Sequence, residues 1–263
     1  MIKSIFYPIL LLLLIGCATS DIAISGNVEP KDRIKAMEII NLIKKQNAIP
    51  EPASFKAALS ISGNIEGKPI SASGNVYYKN NPLKAKIILK DLIFRSVIVQ
   101  IAADDKNINI YSVYEKKIYT KNGNIKEPNF YQKNNSQTML AYISTGKVPI
   151  IPDSKITGYT ENPNKETGII LDSSQFNEII YLKKGIPNKI IVTNKKTGNK
   201  FQIEYDNLIY VKSYPFYQKI KVKSFADNNS LSASYSNIET DTVINDSVFK
   251  LEVPSDIPIV KLP

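Results

Sequence analysis

From Phe55 onward, apolar residues alternate with polar or small ones in short runs, and this alternation restricts the possible fold more than any other feature. A period of two places apolar side chains on one face of a β-strand. Turn-forming residues such as Glu66-Gly67, Asn80-Asn81-Pro82 and Asn122-Gly123 separate the runs. The pattern therefore predicts an antiparallel meander with one buried face and one solvated face.

Two segments instead have the period of an α-helix. In residues 31–46, Ala36, Ile39, Ile40 and Ile43 share one face, and Pro50 and Pro52 follow. This helix could lie on a membrane surface, but packing on the sheet is the favoured interpretation because strands follow directly. A second helix is predicted over residues 136–145, which end before Gly146.

Strands are expected to resume after the second helix. The predicted segments are 156–161, 167–172, 176–183, 188–194, 200–206 and runs that include Phe216–Lys223, Leu231–Tyr235 and Phe249–Val253. About a dozen strands in one curved antiparallel sheet then form a mainly β domain over residues 31–263. We expect a single domain because no charge block, low-complexity stretch or long linker interrupts this range.

The N-terminus has the composition of a bacterial export signal. Lys3 precedes an apolar run from Ile5 to Ile15, which is too short to span a membrane. The run ends in Leu14-Ile15-Gly16-Cys17, which resembles the bacterial lipobox. This resemblance implies that residues 1–16 are a lipoprotein signal peptide, that Cys17 carries diacylglycerol and fatty acid such as palmitate, and that residues 17–30 are a lipidated tether. The alternative is a free cysteine in an ordinary signal sequence.

The composition excludes several classes of function. The chain has no His and its only Cys is Cys17, so His-containing catalytic triads and His-ligated metals are excluded. Asp104 and Asp105 are adjacent carboxylates at a turn signal. A Ser–Lys dyad stays open, but no residue pattern marks one. We therefore expect a protein that is not an enzyme and that uses no metal or cofactor.

The net charge of +10 does not indicate nucleic-acid binding. Arg33 and Arg95 are the only arginines, and the lysines are spread along strand-like segments. Contact with anionic lipid headgroups stays open.

The apolar face of the predicted sheet is the candidate functional site. A concave face that the helices do not fill would suit an acyl chain. The alternative is that these residues form an ordinary core. The candidate lining comprises Phe55, Leu59, Ile61, Val76, Tyr78, Ile87, Leu89, Val99, Ile101 and Ile220.

The order of the predicted elements resembles the LolA/LolB-type lipoprotein carriers and receptors. The similar segments are Leu83–Ile101, Tyr217–Lys223, Leu231–Ile238 and Asn245–Pro254. The resemblance implies an unclosed half-barrel of about eleven strands with two or three covering helices, which encloses lipoprotein acyl chains. The receptor branch of the family is itself a lipoprotein, so Cys17 points to that branch.

In receptors of this family, a loop between the third and fourth strands inserts into the membrane. The matching residues are Leu92, Ile93 and Phe94, for which the alternative is an uninterrupted strand. Two departures from the family are extra length around residues 121–170 and the absence of Arg between residues 34 and 94, where soluble carriers have a latch.

The sequence thus predicts an envelope protein anchored by lipid, on the periplasmic face of the outer membrane because Ala18 and not Asp follows the cysteine. It would bind acyl chains, receive lipoproteins from a soluble periplasmic carrier and insert them into the outer membrane. The alternative is a structural or interaction lipoprotein, such as an envelope scaffold, an adhesin or a partner subunit, without lipid cargo.

Overall fold

The computed structural model describes residues 28–122, 147–151, 153–161, 166–226 and 228–262. The predicted signal peptide, Cys17, most of the tether and the predicted helix over 136–145 lie outside these residues.

The helix predicted over residues 31–46 is confirmed as α1, Pro30–Asn47. Pro at the first helical position, Asp32 in the first turn and Lys44 and Lys45 in the last turn all suit helix ends. Ala36, Ile40 and Ile43 are buried in a cluster with strand residues. The helix therefore packs on the sheet, as favoured over the membrane-surface alternative.

Within the described residues, fourteen strands form one sheet, which confirms the mainly β fold class and the open half-barrel. Their order across the sheet is β14-β6-β5-β4-β3-β2-β1-β13-β12-β11-β10-β9-β8-β7. The count exceeds the eleven strands that the resemblance implied, and α1 is the only α-helix among the described residues. The strands are β1 Ser54–Ile65, β2 Lys68–Lys79, β3 Lys84–Lys90, β4 Val97–Asp104, β5 Asn107–Ser112, β6 Lys117–Asn122, β7 Lys155–Glu161, β8 Glu166–Asp172, β9 Phe176–Lys183, β10 Ile186–Asn194, β11 Lys200–Val211, β12 Tyr214–Ser224, β13 Ser230–Thr240 and β14 Ile259–Lys261.

Two meanders, β1–β6 and β7–β13, build this sheet. They meet where β1 pairs antiparallel with β13, with Phe55 opposite Thr240 and Leu59 opposite Tyr235. Strand β14 adds a short parallel pairing to β6. The large sheet therefore depends on one seam between segments at opposite ends of the domain.

Strands β2 and β3 approach each other unusually closely at Gly74. A Cβ atom at this position would lie 1.7 Å from the backbone oxygen of Ile88, far inside van der Waals contact. Gly74 pairs with Leu59 on one side and Leu89 on the other. A glycine is thus required for the close backbone approach in this part of the sheet.

The prediction of a strand over Phe249–Val253 is wrong. Phe249 is instead the last residue of a short 3₁₀-helix, Asp246–Phe249. Asn245 caps this helix, because its side-chain oxygen accepts a hydrogen bond from the backbone N–H of Ser247. Residues 250–254 do not belong to a strand. Phe249 is buried in the protein. The alternation of apolar and polar residues that suggested a strand therefore comes from the partial burial of an irregular segment.

This irregular segment, residues 242–258, is here termed the strap. Side chains of β3 and β4 hold it: Lys86 Nζ donates to Lys250 O at 2.6 Å, and Gln100 Nε2 donates to Glu252 O at 2.8 Å. Gln100 Oε1 accepts from Lys86 Nζ at 2.7 Å and from the backbone N–H of Glu252 at 3.1 Å. Lys86 is 1% exposed. Burial lowers the pKa of its ammonium group, and the Glu252 carboxylate offsets part of that effect.

Replacing Lys86 with Met is expected to lower the free energy of unfolding by about 1–3 kcal/mol, because the Lys250 carbonyl loses its buried donor. Urea denaturation measures the change. Lys219→Met is the matched control because Lys219 is exposed in β12, and it should change stability by less than about 0.5 kcal/mol. Equal stabilities of the two variants would contradict a structural role for Lys86.

Candidate functional site

Strand pairing places the predicted lining residues on a single face of the sheet, here termed the inner face. Directly opposed residues in a β-ladder share a face. The pairs that define it are Phe55–Tyr78, Val76–Ile87, Ile87–Ile101, Leu89–Val99, Leu59–Gly74, Ile61–Ala233 and Ile220–Ala233. Seven of the ten side chains are buried, and Ile61, Ile87 and Ile101 are partly exposed.

Small residues separate the large side chains on the inner face. Ala72 lies opposite Ile61, Ala57 opposite Val76, and Ala85 between Tyr78 and Ala103. Alanine side chains therefore alternate with branched and aromatic ones on this face, and Ala57 and Ala72 are themselves buried. These alanines were not predicted as lining residues, although the same alternation marks them.

Larger residues of the inner face were also missed as site residues. Ile108 and Ile110 of β5 pair with Ala103 and Ile101, and Phe216 packs edge-on against Phe55 with ring centroids 5.6 Å apart. The alternation of Ile108 and Ile110 could have identified them. The position of Phe216 depends on contact between β12 and β1, which sequence periodicity does not reveal.

Helix α1 covers the other half of the sheet. Its buried residues pack with Ile169, Ile180, Ile190 and Ile203 of strands β8–β11. The inner-face residues of β1–β5 form two adjoining clusters, which share partly buried residues such as Ile87 and Ile101 and contain no residue of α1. Among the described residues, the helix therefore lies beside the candidate site and not over most of it.

A polar cluster lies at the Tyr78 edge of the inner face. The Tyr78 hydroxyl donates to Glu51 Oε2, and Lys147 Nζ is 2.9 Å from Glu51 Oε1. Burial and the nearby Glu51 carboxylate raise the pKa of Tyr78 above its ordinary value. The hydroxyl therefore stays protonated, and its contact with Glu51 connects β2 to the segment that follows α1.

The residues Leu92, Ile93 and Phe94 lie in a loop and not in a continuous strand. Strand β3 ends at Lys90 and β4 begins at Val97, which confirms the loop interpretation. Ile93 and Phe94 are each 81% exposed, and Leu92 is 44% exposed.

Asp91 fixes the backbone of this loop. Its Oδ1 accepts hydrogen bonds from the backbone N–H groups of Ile93 and Phe94, both at 2.8 Å. Its own N–H donates to Ser96 O at 2.9 Å, and Arg95 N–H donates to Asp91 O at 3.1 Å. The loop is thus an ordered turn, and its side chains Ile93 and Phe94 lie in solvent.

A groove of about 600 Å³ lies at the other half of the sheet, between α1 and residues 150, 151 and 153–156. Its walls combine apolar residues such as Met37 and Ile156 with Arg33, Lys44 and Lys155. It does not contain any of the predicted lining residues.

The described residues contain no group of acidic, His or Cys side chains that could hold a metal ion. Asp104, the last residue of β4, accepts from the backbone N–H groups of Lys106 and Asn107 and so orders the turn that the sequence predicted at this point. In the same ranges, no helix has the length and apolarity needed to cross a membrane.

Neither family models nor the sequences of curated proteins gave a match to this chain. Solved structures did. A DUF1329 family protein from Desulfovibrio piger is 11% identical, and the match covers 83% of this chain and 97% of that protein with a TM-score of 0.51. A structure described as an outer membrane lipoprotein-sorting protein domain from Vibrio parahaemolyticus is 12% identical, with coverages of 82% and 97% and a TM-score of 0.51.

A LolA superfamily protein from Nitrosomonas europaea is 11% identical, with coverages of 82% and 97% and a TM-score of 0.49. At such identities the first two matches show a shared fold. The resemblance identified from the sequence is thereby confirmed at the level of the fold.

Proposed function

We propose that this protein is a lipid-anchored envelope protein that binds acyl chains on the inner face of β1–β5 and passes lipoproteins to the outer membrane. The observation that carries the proposal is that the ten residues selected from the sequence lie on one apolar face, where nine of them lie outside the α1 cluster and are interspersed with alanines. Such a face supplies what acyl binding needs, because each buried methylene contributes about 0.8 kcal/mol. The proposed role is binding and not catalysis.

The receptor role has separate support. The Leu92–Phe94 loop projects two strongly exposed apolar side chains from an ordered turn, and the sequence at Cys17 resembles a lipidation site. The fold is shared with the lipoprotein-sorting domain from Vibrio parahaemolyticus. A soluble periplasmic carrier is the proposed donor of the lipoproteins.

Native mass spectrometry of the unlipidated chain, with Cys17→Ser and without residues 1–16, tests acyl binding. We expect bound fatty acid or phospholipid. Ile87→Gln should reduce binding roughly tenfold, because it places an amide against the acyl chain. The neighbouring Ile88→Gln is the matched control because Ile88 lies on the opposite face of β3 and should leave binding unchanged.

A chain that binds no lipid, or equal binding by the two variants, would contradict the proposal. That outcome would favour the structural or interaction lipoprotein, for which copurification of a stoichiometric protein partner is the expected observation.

A further inference from the structure

A second turn lies next to the apolar Leu92–Phe94 loop at the same end of the sheet. Residues 113–116 connect β5 to β6, and the backbone N–H of Val113 donates to Ile98 O at 3.1 Å. Strand β4, which contains Ile98, begins directly after the apolar loop. Tyr114 in this turn is 66% exposed. Two neighbouring loops therefore present apolar or aromatic side chains to solvent.

Cationic side chains flank these two loops. Lys90 precedes the apolar loop, and Lys116 and Lys117 end the β5–β6 turn. None of the three forms an ion pair with a described residue. In contrast, Lys79 and Lys84 at the opposite end of strands β2 and β3 both pair with Asp246, at 3.0 and 2.8 Å.

Each of the two loops contains one carboxylate, and both carboxylates are engaged within the protein. Asp91 accepts the two backbone hydrogen bonds that order the apolar loop. Glu115 Oε2 accepts from the Tyr119 hydroxyl at 2.5 Å. Lys90, Lys116 and Lys117 are therefore available to an external anion, whereas the carboxylates of the two loops bind groups within the loops and β6.

We propose that the apolar loop and the β5–β6 turn form one docking surface for a bilayer rich in anionic phospholipid. This inference rests on the proposed function, in which Leu92–Phe94 meets the membrane. Ile93 and Phe94 enter the acyl region, and Tyr114 lies at headgroup depth, where aromatic residues with a polar end are favoured. Lys90, Lys116 and Lys117 contact the lipid phosphates.

Cosedimentation with vesicles tests the docking surface, using the chain from residue 17 with Cys17→Ser, which contains every described element. One vesicle type is phosphatidylcholine alone, and the other contains about one-third phosphatidylglycerol. The wild-type chain should prefer the anionic vesicles, and raising the salt from about 0.05 to about 0.5 M should reduce that preference.

Replacing both Lys116 and Lys117 with Gln should weaken binding to the anionic vesicles by roughly twenty-five-fold, or about fivefold for each lysine, and leave binding to phosphatidylcholine unchanged. The control is the Lys219→Gln, Lys221→Gln variant, because both lysines are exposed on β12. The control should bind like the wild type.

Equal binding of the wild-type chain to the two vesicle types, equal losses in the two lysine variants, or capture by a protein partner without any vesicle binding would each overturn the inference. These outcomes are distinguishable from failure of the proposed function, since acyl binding on the inner face is measured by mass spectrometry without vesicles.

Discussion

Replacing Phe94 with Glu is expected to reduce delivery of lipoproteins to the outer membrane by at least tenfold, with the domain still folded. Phe94 is 81% exposed and its side chain contributes little to the core. A carboxylate in its place costs about 2–3 kcal/mol or more to bring into the hydrocarbon region, which corresponds to the expected loss. Fractionation of cells and quantification of lipoproteins in each membrane measures the effect.

Ile34→Glu is the matched control for this experiment. Ile34 is another exposed apolar residue, at 60%, but it lies on the solvent side of α1. Delivery should be unaffected, and circular dichroism should show that both variants fold. Wild-type delivery by the folded Phe94→Glu variant would remove the loop from the mechanism, and an equal loss in both variants would show that apolar exposure in general is what matters.

Replacing Gly74 with Val is expected to cause the largest loss of stability, more than about 3 kcal/mol, and the variant should accumulate poorly in cells. The added Cβ would meet the Ile88 carbonyl at 1.7 Å, and backbone cannot rotate away as a flexible side chain does. Strands β2 and β3 must separate, which breaks the ladder that carries Val76 and Ile87 on the inner face. Urea denaturation and the yield of folded protein measure the loss.

Asn75→Val controls for the effect of introducing a branched residue into β2. Asn75 is half-buried on the opposite face, and valine favours strands, so its stability should change by less than about 1 kcal/mol. A Gly74→Val variant as stable as this control would show that the two strands can separate at little cost.

Sequence periodicity predicted the elements whose burial alternates regularly. Strand β9 was predicted at its observed bounds, Phe176–Lys183, because one face packs under α1 while the other meets solvent. The same reasoning failed at Phe249–Val253. This segment is held by one buried aromatic residue and by hydrogen bonds between its backbone and the Gln100 side chain, and not by pairing with another strand. A backbone held by distant side chains leaves no local periodicity to detect.

In the candidate site, too, local sequence patterns predicted some residues, whereas contacts between distant segments could not be predicted. Residues such as Ile87 and Ile101 could be assigned to one face because strand alternation fixes their direction. The loop at Leu92–Phe94 was predicted from the family resemblance, because the sequence itself also allowed an uninterrupted strand. The hydrogen bond from the buried Lys86 to the strap could not be predicted, because a lysine between apolar neighbours ordinarily points to solvent. Its burial depends on the strap, which is more than 150 residues distant along the chain.

The pairing of β1 with β13 has a kinetic consequence. Each meander can assemble from neighbouring hairpins, but the pair Phe55 and Thr240 must find each other across almost the whole domain. Closing so long a loop is entropically unfavourable and slow, so the two halves should form first and join last. Until that joining step, each half presents an unpaired strand to the halves of other molecules, and exchange between two copies would give an intertwined dimer with the same strand contacts.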